Sequence, residues 1–333
     1  MKDESPTVTA KLFPLAGRRV WVAGHRGLIG SALVRRLTRM NVEVLTVAHE
    51  RLDLRDAAAV LRWVTNAAPD MIFMAAARVG GIDANARFPA DFIYDNLAIE
   101  LAIIKAAATA RVPKLMMLGS SCFYPKLASQ PISEEALLTG AIEETNIWYA
   151  VAKIAGVKMA EAYRLQHGLD FISAIPTSLY GPHDRFDESR GHVIPALISK
   201  VRRAIASGLR EVEVWGSGSP QREFLHVDDC ADALVFLAER YSDRAPINVG
   251  SGFEITIKDL AERICRLAGF DGTLRFDATR PDGVLRKRID TRRLEAMGWY
   301  PSIDFDDGLR QTYEWFNRER PQGSAVAEAS LYC

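Results

Sequence analysis

From Arg18 to Pro176, short apolar runs alternate with helical patterns without a break. RRVWVAG, VEVLTVA, DMIFMAAA, KLMMLGSS and DFISAIP read as strands. GLIGSALVRRLTRM, AAAVLRWVTNA, PADFIYDNLAIELAIIKAAATARV and WYAVAKIAGVKMAEAYRLQHG read as the helices between them. Strands separated by whole helices cannot close as hairpins, so each crossover lays the next strand parallel to the last. The pattern predicts an α/β fold: a doubly wound parallel sheet with helices on both faces.

After Pro176 the regularity loosens. PTSLYGPHDRFDESRGH is expected to be a long loop with a functional role. VIPALISKVRRAIASG reads as a helix with a basic face, and EVEVWGSGSPQREFLHV as two strands about a Gly/Ser loop. DDCADALVFLAERY reads as a helix with an aspartate N-cap, and IKDLAERICRLAG as another helix. The expected division is a nucleotide-binding domain over 1–177, with 225–248 returning to it. A smaller α/β substrate-binding domain is expected over 178–224 and 249–320, and a loose tail over 321–333.

The 333 residues are 48% hydrophobic, enough to fill two cores, and Lys+Arg and Asp+Glu balance at 42 each. That balance argues against nucleic acid and against a membrane surface as partners. The most apolar helical run, LAIELAIIKAAATA, is broken by Glu100 and Lys105, so no membrane span is expected. Cys122, Cys230, Cys265 and Cys333 show no CxxC pair and no zinc-like spacing with histidine. Free thiols in a reducing cytoplasm, with no metal, are expected. The N-terminal stretch has no apolar core of signal-peptide length.

VWVAGHRGLIGSAL places Gly24, Gly27 and Gly30 between a strand and a helix. Gly24 suits a tight turn, Gly27 a close backbone approach to a pyrophosphate, and Gly30 close helix–strand packing. The helix N-terminus offers free N–H groups to phosphate. The fold is therefore expected to be Rossmann-like. A dinucleotide-binding unit usually carries an acid at the end of the second strand to hold the ribose. Here that place reads TVAHERLDL. Arg26, His49 and Arg51 favour a 2′-phosphate, hence NADP(H), while the neighbouring Glu50 opposes it.

YAVAK sets Tyr149 and Lys153 at i and i+4, on one helix face. A neighbouring ammonium stabilises a phenolate and lowers the tyrosine pKa, which suits proton transfer to an alkoxide. LMMLGSSC ends a strand at the same sheet edge. Ser120 can hydrogen-bond the substrate oxygen that Tyr149 protonates, and Ser121 can do the same or cap the turn. The Cys122 thiol, ordinarily ionising near pH 8.5 or so, can take and return a proton. Its plainer reading is a small buried hydrophobe.

GHRGLIGSA, AAARVGGIDAN, LGSSCFYPK, YAVAKIAG, LYGPHD, GHVIPAL, VWGSGSPQREFLHVDD and PDGVLRK, spread over nearly the whole chain, resemble the extended short-chain dehydrogenase/reductase family. The likeness is to its fucose-forming branch. The resemblance implies a substrate, GDP-4-keto-6-deoxy-D-mannose, inverted at C3 and C5 and then reduced at C4 with NADPH to GDP-L-fucose. It implies Cys122 as base, His192 as acid, and Ser120, Tyr149 and Lys153 as the reductase group. It adds Pro176, Ser178, Leu179 and His192 to the cofactor contacts. Arg222, Lys200, Trp215 and Asp282 are implied as substrate contacts, with Arg222 first and Lys200 second for the diphosphate. A homodimer joined through the YxxxK helix is implied too.

Two positions depart from that pattern. Ser178 stands where the family usually has Asn, and ESRGH stands where it usually has Asn-Ser-His. Against that pattern Ser178 bears on a contact near the nicotinamide, and Arg190 and Gly191 on how His192 is held, so both affect the epimerase half more than the reductase half. Plainer readings stay open for Trp215 as core, Lys200 as a solvated helix face and His192 as a loop residue. His226 is expected to pack or cap rather than catalyse, and His167 and His183 to lie in loops. A reductase or epimerase/reductase for a related GDP-4-keto-deoxy sugar and a non-catalytic NADP-binding protein on the same fold are the alternative functions.

Overall fold

The structure, a computed structural model, describes residues 13–188, 191–280 and 282–319. The first half runs β1 (Arg19–Ala23), α1 (Leu28–Leu37), β2 (Glu43–Leu45), α2 (Ala57–Ala67), β3 (Met71–Met74), α3 (Ile82–Arg87), α4 (Pro89–Thr109), β4 (Lys114–Leu118), α5 (Ile147–His167) and β5 (Asp170–Pro176). The second runs β6 (Ser178–Tyr180), α6 (Val193–Ala206), β7 (Glu211–Trp215), β8 (Gln221–His226), α7 (Val227–Arg240), β9 (Ile247–Val249), β10 (Glu254–Thr256), α8 (Ile257–Ala268), β11 (Thr273–Asp277), β12 (Arg286–Lys287), α9 (Arg292–Ala296) and α10 (Phe305–Glu319).

Six strands form the main sheet in the order β2-β1-β3-β4-β5-β9, all parallel. Every residue of β3 and β4 is buried, as expected of strands covered on both faces. Side chains alternate along β1. Trp21 and Ala23 enter an apolar layer with Ile103, Val157 and Phe171. Val20 and Val22 enter the opposite layer with Leu33, Leu234 and Val249. Each fully buried side chain of this size stabilises the fold by about 1.5–3 kcal/mol. The helix ends follow local chemistry. Asp56 Oδ1 accepts from the Ala59 N–H at 2.9 Å to start α2, and Gly168, at φ +67°, stops α5.

A third core, including Tyr180, Ile198, Val201, Phe224, Ile264 and Phe316, lies among the later elements. Here the structure corrects several expectations. The stretch after Pro176 is not all loop: Ser178–Tyr180 pairs in parallel with β8. The two strands of EVEVWGSGSPQREFLHV form about the Gly/Ser loop as expected, and they do not pair with each other. Gly216 and Gly218 both take positive φ and send β8 away, so β7 pairs with β11 while β8 pairs with β6, β10 and β12. His226, not an aspartate, caps α7: its Nδ1 accepts from the Asp228 N–H at 3.3 Å. Asp228 and Asp229 fill the first turn, where carboxylates suit the helix dipole. His167 is the last residue of α5 rather than a loop residue. No described helix is long and apolar enough to cross a membrane.

Candidate active site

The crevice opens where strand order reverses, at the C-terminal ends of β1 and β3. Gly24 turns there at φ +85°, and a Cβ on it would stand 2.6 Å from Ala76 in the segment after β3. A Cβ on Gly30 would stand 2.0 Å from the Gly24 carbonyl oxygen. Gly27 is the N-cap of α1 and supplies no side-chain cap, so the first N–H groups of the helix face the crevice. This backbone cradle fits a pyrophosphate. At its rim, Arg26 Nη1 lies 2.9 Å from Glu50 Oε1, both side chains largely exposed. β2 ends at Leu45, so His49 lies in the turn beyond the strand rather than at its end.

The catalytic candidates come from two neighbouring elements. Ser121–Phe123 is a single 3₁₀ turn after β4, and Ser120, not Ser121, caps it by accepting from the Cys122 N–H at 3.4 Å. Cys122 is half-buried in that turn. Tyr149 and Lys153 come from α5, with Lys153 Nζ 5.8 Å from the centre of the Tyr149 ring. The tyrosine does not show the lowered pKa expected from YxxxK. Burial first, then the nearby Cys122 and Glu100, push it well above its ordinary value. Burial is the main cause, and Glu100 of α4 adds to it: its Oε1 sits 3.0 Å from Lys153 Nζ, both side chains buried. The lysine charge is shared with a carboxylate rather than given wholly to the phenol.

His192 is the N-cap residue of α6, with no side-chain cap bond. Its half-exposed ring places Nδ1 3.5 Å from Oδ1 of the buried Asp184. Burial pulls the imidazole pKa down, but the hydrogen bond and charge of Asp184 carry it above the ordinary value. No hydrogen bond or ion pair joins His192 to Cys122 among the described residues; the histidine stands on a different element, at the start of α6. Arg190, beside it in the altered loop, lies outside the described residues. Pro176 ends β5, and Ser178 and Leu179 open β6, the short strand that lies beside β8.

The expected substrate contacts line up along the loop between β7 and β8. Trp215 ends β7 and is 40% exposed, so it is not core. Lys200 Nζ donates to the Glu213 carbonyl at 3.1 Å and stands 4.9 Å from the Trp215 ring centre. Asp282 accepts from the Ser217 N–H at 2.7 Å and from the Ser217 hydroxyl at 2.8 Å. Arg222 donates to the Asp282 carbonyl at 3.4 Å, and its burial lowers its pKa. A cavity of about 330 Å³ also touches Lys200 and Trp215. Its lining includes Glu188, Glu211 and Glu213, a poor match for a diphosphate.

Residues 20–250 match the NAD dependent epimerase/dehydratase family. The chain belongs to it. A GDP-L-fucose synthase of Sinorhizobium fredii is 50% identical over 92% of this chain and 97% of its own. A GDP-L-colitose synthase of Yersinia pseudotuberculosis is 34% identical over 91% and 99%. Among solved structures, a GDP-L-fucose synthetase of Naegleria fowleri bound to NADP superposes with a TM-score of 0.85, at 28% identity over 93% of this chain and 98% of that one. As a member of the NAD dependent epimerase/dehydratase family, the chain has the Rossmann-like sheet that its glycine loop implied.

Three charged residues at the site were not singled out by sequence patterns. Glu100 had a signal: it is a lone carboxylate inside an apolar helix run. Lys287 sits in RKRID, where strand alternation sets it on the face opposite Arg286 and Arg288. Asp184, in the loop before α6, had none.

Proposed function

We propose that the protein converts GDP-4-keto-6-deoxy-D-mannose to GDP-L-fucose with NADPH, inverting C3 and C5 and then reducing C4. The observation that carries this reading is the turn that sets Cys122 beside Ser120, against Tyr149. A plain ketoreductase needs the serine and tyrosine but has no use for a thiol at the same carbonyl.

The C4 ketone acidifies the C–H bonds on both flanking carbons. Cys122 takes one of these protons, and the C–H electrons move into the carbonyl as an enolate. The hydroxyls of Ser120 and Tyr149 donate to the enolate oxygen. His192, kept protonated by Asp184, returns a proton to the opposite face. Bound NADPH supplies the hydride for the final reduction. Tyr149 then gives its proton to the C4 oxygen, and Lys153 stabilises the phenolate left behind.

The glycine cradle of the main sheet takes the dinucleotide, and the smaller unit built on β8 takes the GDP-sugar. Arg26, at the rim, favours the 2′-phosphate of NADP(H). Arg222 and Lys200 hold the diphosphate. Exposed Tyr94 and Leu101 on α4, with Val151 and Leu165 on the adjoining α5, support a homodimer through these two helices. The free thiols Cys122, Cys230 and Cys265 support a cytoplasmic location.

The test is the reaction run in D₂O with GDP-4-keto-6-deoxy-D-mannose and NADPH, the product read by NMR. GDP-L-fucose deuterated at C3 and C5 is the expected result. An undeuterated D-sugar would leave a ketoreductase only, and no NADPH oxidation would overturn the substrate.

A further inference from the structure

We propose that Lys287 is the counter-ion of Cys122, a positioning residue whose ammonium stabilises the thiolate that takes protons from the sugar. This rests on the epimerase reading of the site and adds a residue to it.

The placement is fixed by backbone. β12 pairs in parallel with β8, setting Lys287 opposite Arg222. One residue further on, the strand is stitched to the segment that follows the Cys122 turn. Ile132 N–H donates to the Arg288 carbonyl at 2.8 Å, and Asp290 N–H donates to the Ile132 carbonyl at 2.8 Å. The Arg288 N–H donates to Gln130 Oε1 at 2.8 Å. Strand alternation then sorts the side chains. Arg286 and Arg288 both reach Glu254, at 2.6 and 3.7 Å, so Lys287 points to the other face. Ile289, two residues on and so on the same face as Lys287, belongs to the buried core against which Cys122 packs.

The charges around the thiol leave Lys287 as its cation. Lys153 is bound to Glu100 at 3.0 Å. Arg222 donates to the Gln221 and Asp282 carbonyls. Glu143, which also faces Lys287, is paired with Lys126 at 3.0 Å. Tyr149 faces the thiol as a neutral phenol, and the Ser120 hydroxyl lies beside it, accepting from the Cys122 N–H at 3.4 Å. The Lys287 ammonium makes no hydrogen bond or ion pair with a described residue. Burial pushes the Cys122 thiol up, and the strongest influence against burial is the Lys287 charge, ahead of Ser120 and Lys153. Burial lowers the lysine in turn, and Cys122 pulls it back up. A recessed thiol can work as a base near neutrality only if something holds its anion.

The test uses the full chain without substrate. Alkylation of Cys122 by iodoacetamide is followed on its own peptide by mass spectrometry, across about pH 6 to 10. It is run on the unaltered protein, Lys287→Met and Lys287→Arg. The expected result is a midpoint about one pH unit or more higher in Lys287→Met, with roughly tenfold slower alkylation at neutral pH. Lys287→Arg is expected to restore most of it, which a merely structural role would not require. An unchanged midpoint in Lys287→Met, or an arginine variant no better than methionine, overturns the proposal. A diphosphate-binding role would give the first of these results, with a raised KM instead. Because no sugar is present, this readout fails independently of the substrate assignment, which stands or falls on the D₂O experiment.

Discussion

The glycine cradle and the proposed sugar cleft are built on opposite plans. The cradle is one continuous stretch, β1 to α1, braced by the segment after β3, and its working groups are backbone. The residues proposed for the cleft come from α4, the turn after β4, α5, α6 with its N-cap, β8 and β12. In the cradle the constraint is space, since there is no room for a methyl group on Gly24 or Gly30. In the cleft it is charge: Lys153 leans on Glu100 and His192 on Asp184. A site made of backbone fails by crowding. A site made of side chains fails by losing a proton or a partner.

Two substitutions should separate these failures. Tyr149→Phe removes one hydroxyl from the cleft and should lower NADPH-dependent reduction by about 10²–10⁴-fold. Dinucleotide binding, followed by fluorescence quenching, should stay within a factor of about two because the cradle is untouched. Gly30→Ala should do the reverse. Its Cβ meets the Gly24 carbonyl and the His25 Cα, so the loop and helix must part. Dinucleotide affinity should fall by roughly tenfold or more, from a packing cost of about 1–3 kcal/mol. At saturating NADPH a large part of turnover should return, which Tyr149→Phe cannot show. If Gly30→Ala bound as well as the unaltered protein, the cradle would not be the dinucleotide site.

The same contrast explains what could be read from the sequence. The main sheet was legible because each strand is a short apolar run and each crossover a whole helix. Even the limits of α2 and β5 follow from AAAVLRWVTNA and DFISAIP. The glycine loop was legible because its groups are adjacent in the chain. β6 was not: SLY is too short to carry a period, and it is a strand only because β8 lies beside it. The cap of α7 was misread because Asp228 and Asp229 look like caps, while His226 holds the geometry. In the site, Tyr149 and Lys153 share a helix face and could be paired by spacing. Glu100 is far off in sequence and changes what that pair does, by sharing the lysine charge. Charge partners brought together by tertiary structure leave no spacing to read.

Asp184→Asn sharpens the comparison within the cleft. Asp184 opposes burial and holds the His192 pKa above its ordinary value. Without that charge burial prevails, the pKa falls, and the imidazole loses its proton at lower pH. Deuterium wash-in at C3 and C5 should therefore lose its basic limb earlier, moving the descending half of the profile to lower pH. At mildly alkaline pH the loss should be several-fold, approaching about tenfold for each unit the pKa falls. Reduction of an already epimerised ketone should keep its profile. A basic limb that does not move would remove His192 from the proton relay.

The smallest effect lies at the rim, the one place where the cradle also depends on side-chain charge. Glu50 shares Arg26, and both side chains are more than half exposed. Solvent screens such a pair, so its removal cannot transform affinity. Glu50→Gln should free the guanidinium for a 2′-phosphate and tighten NADPH by about two- to fivefold at low salt. The gain should fade as ionic strength rises. NADH, which has no 2′-phosphate, should gain nothing, so the measurement is the ratio of the two dissociation constants. An equal gain for both dinucleotides would mean that Arg26 does not read the phosphate. The preference would then have to come from His49 or Arg51, in the turn beyond β2.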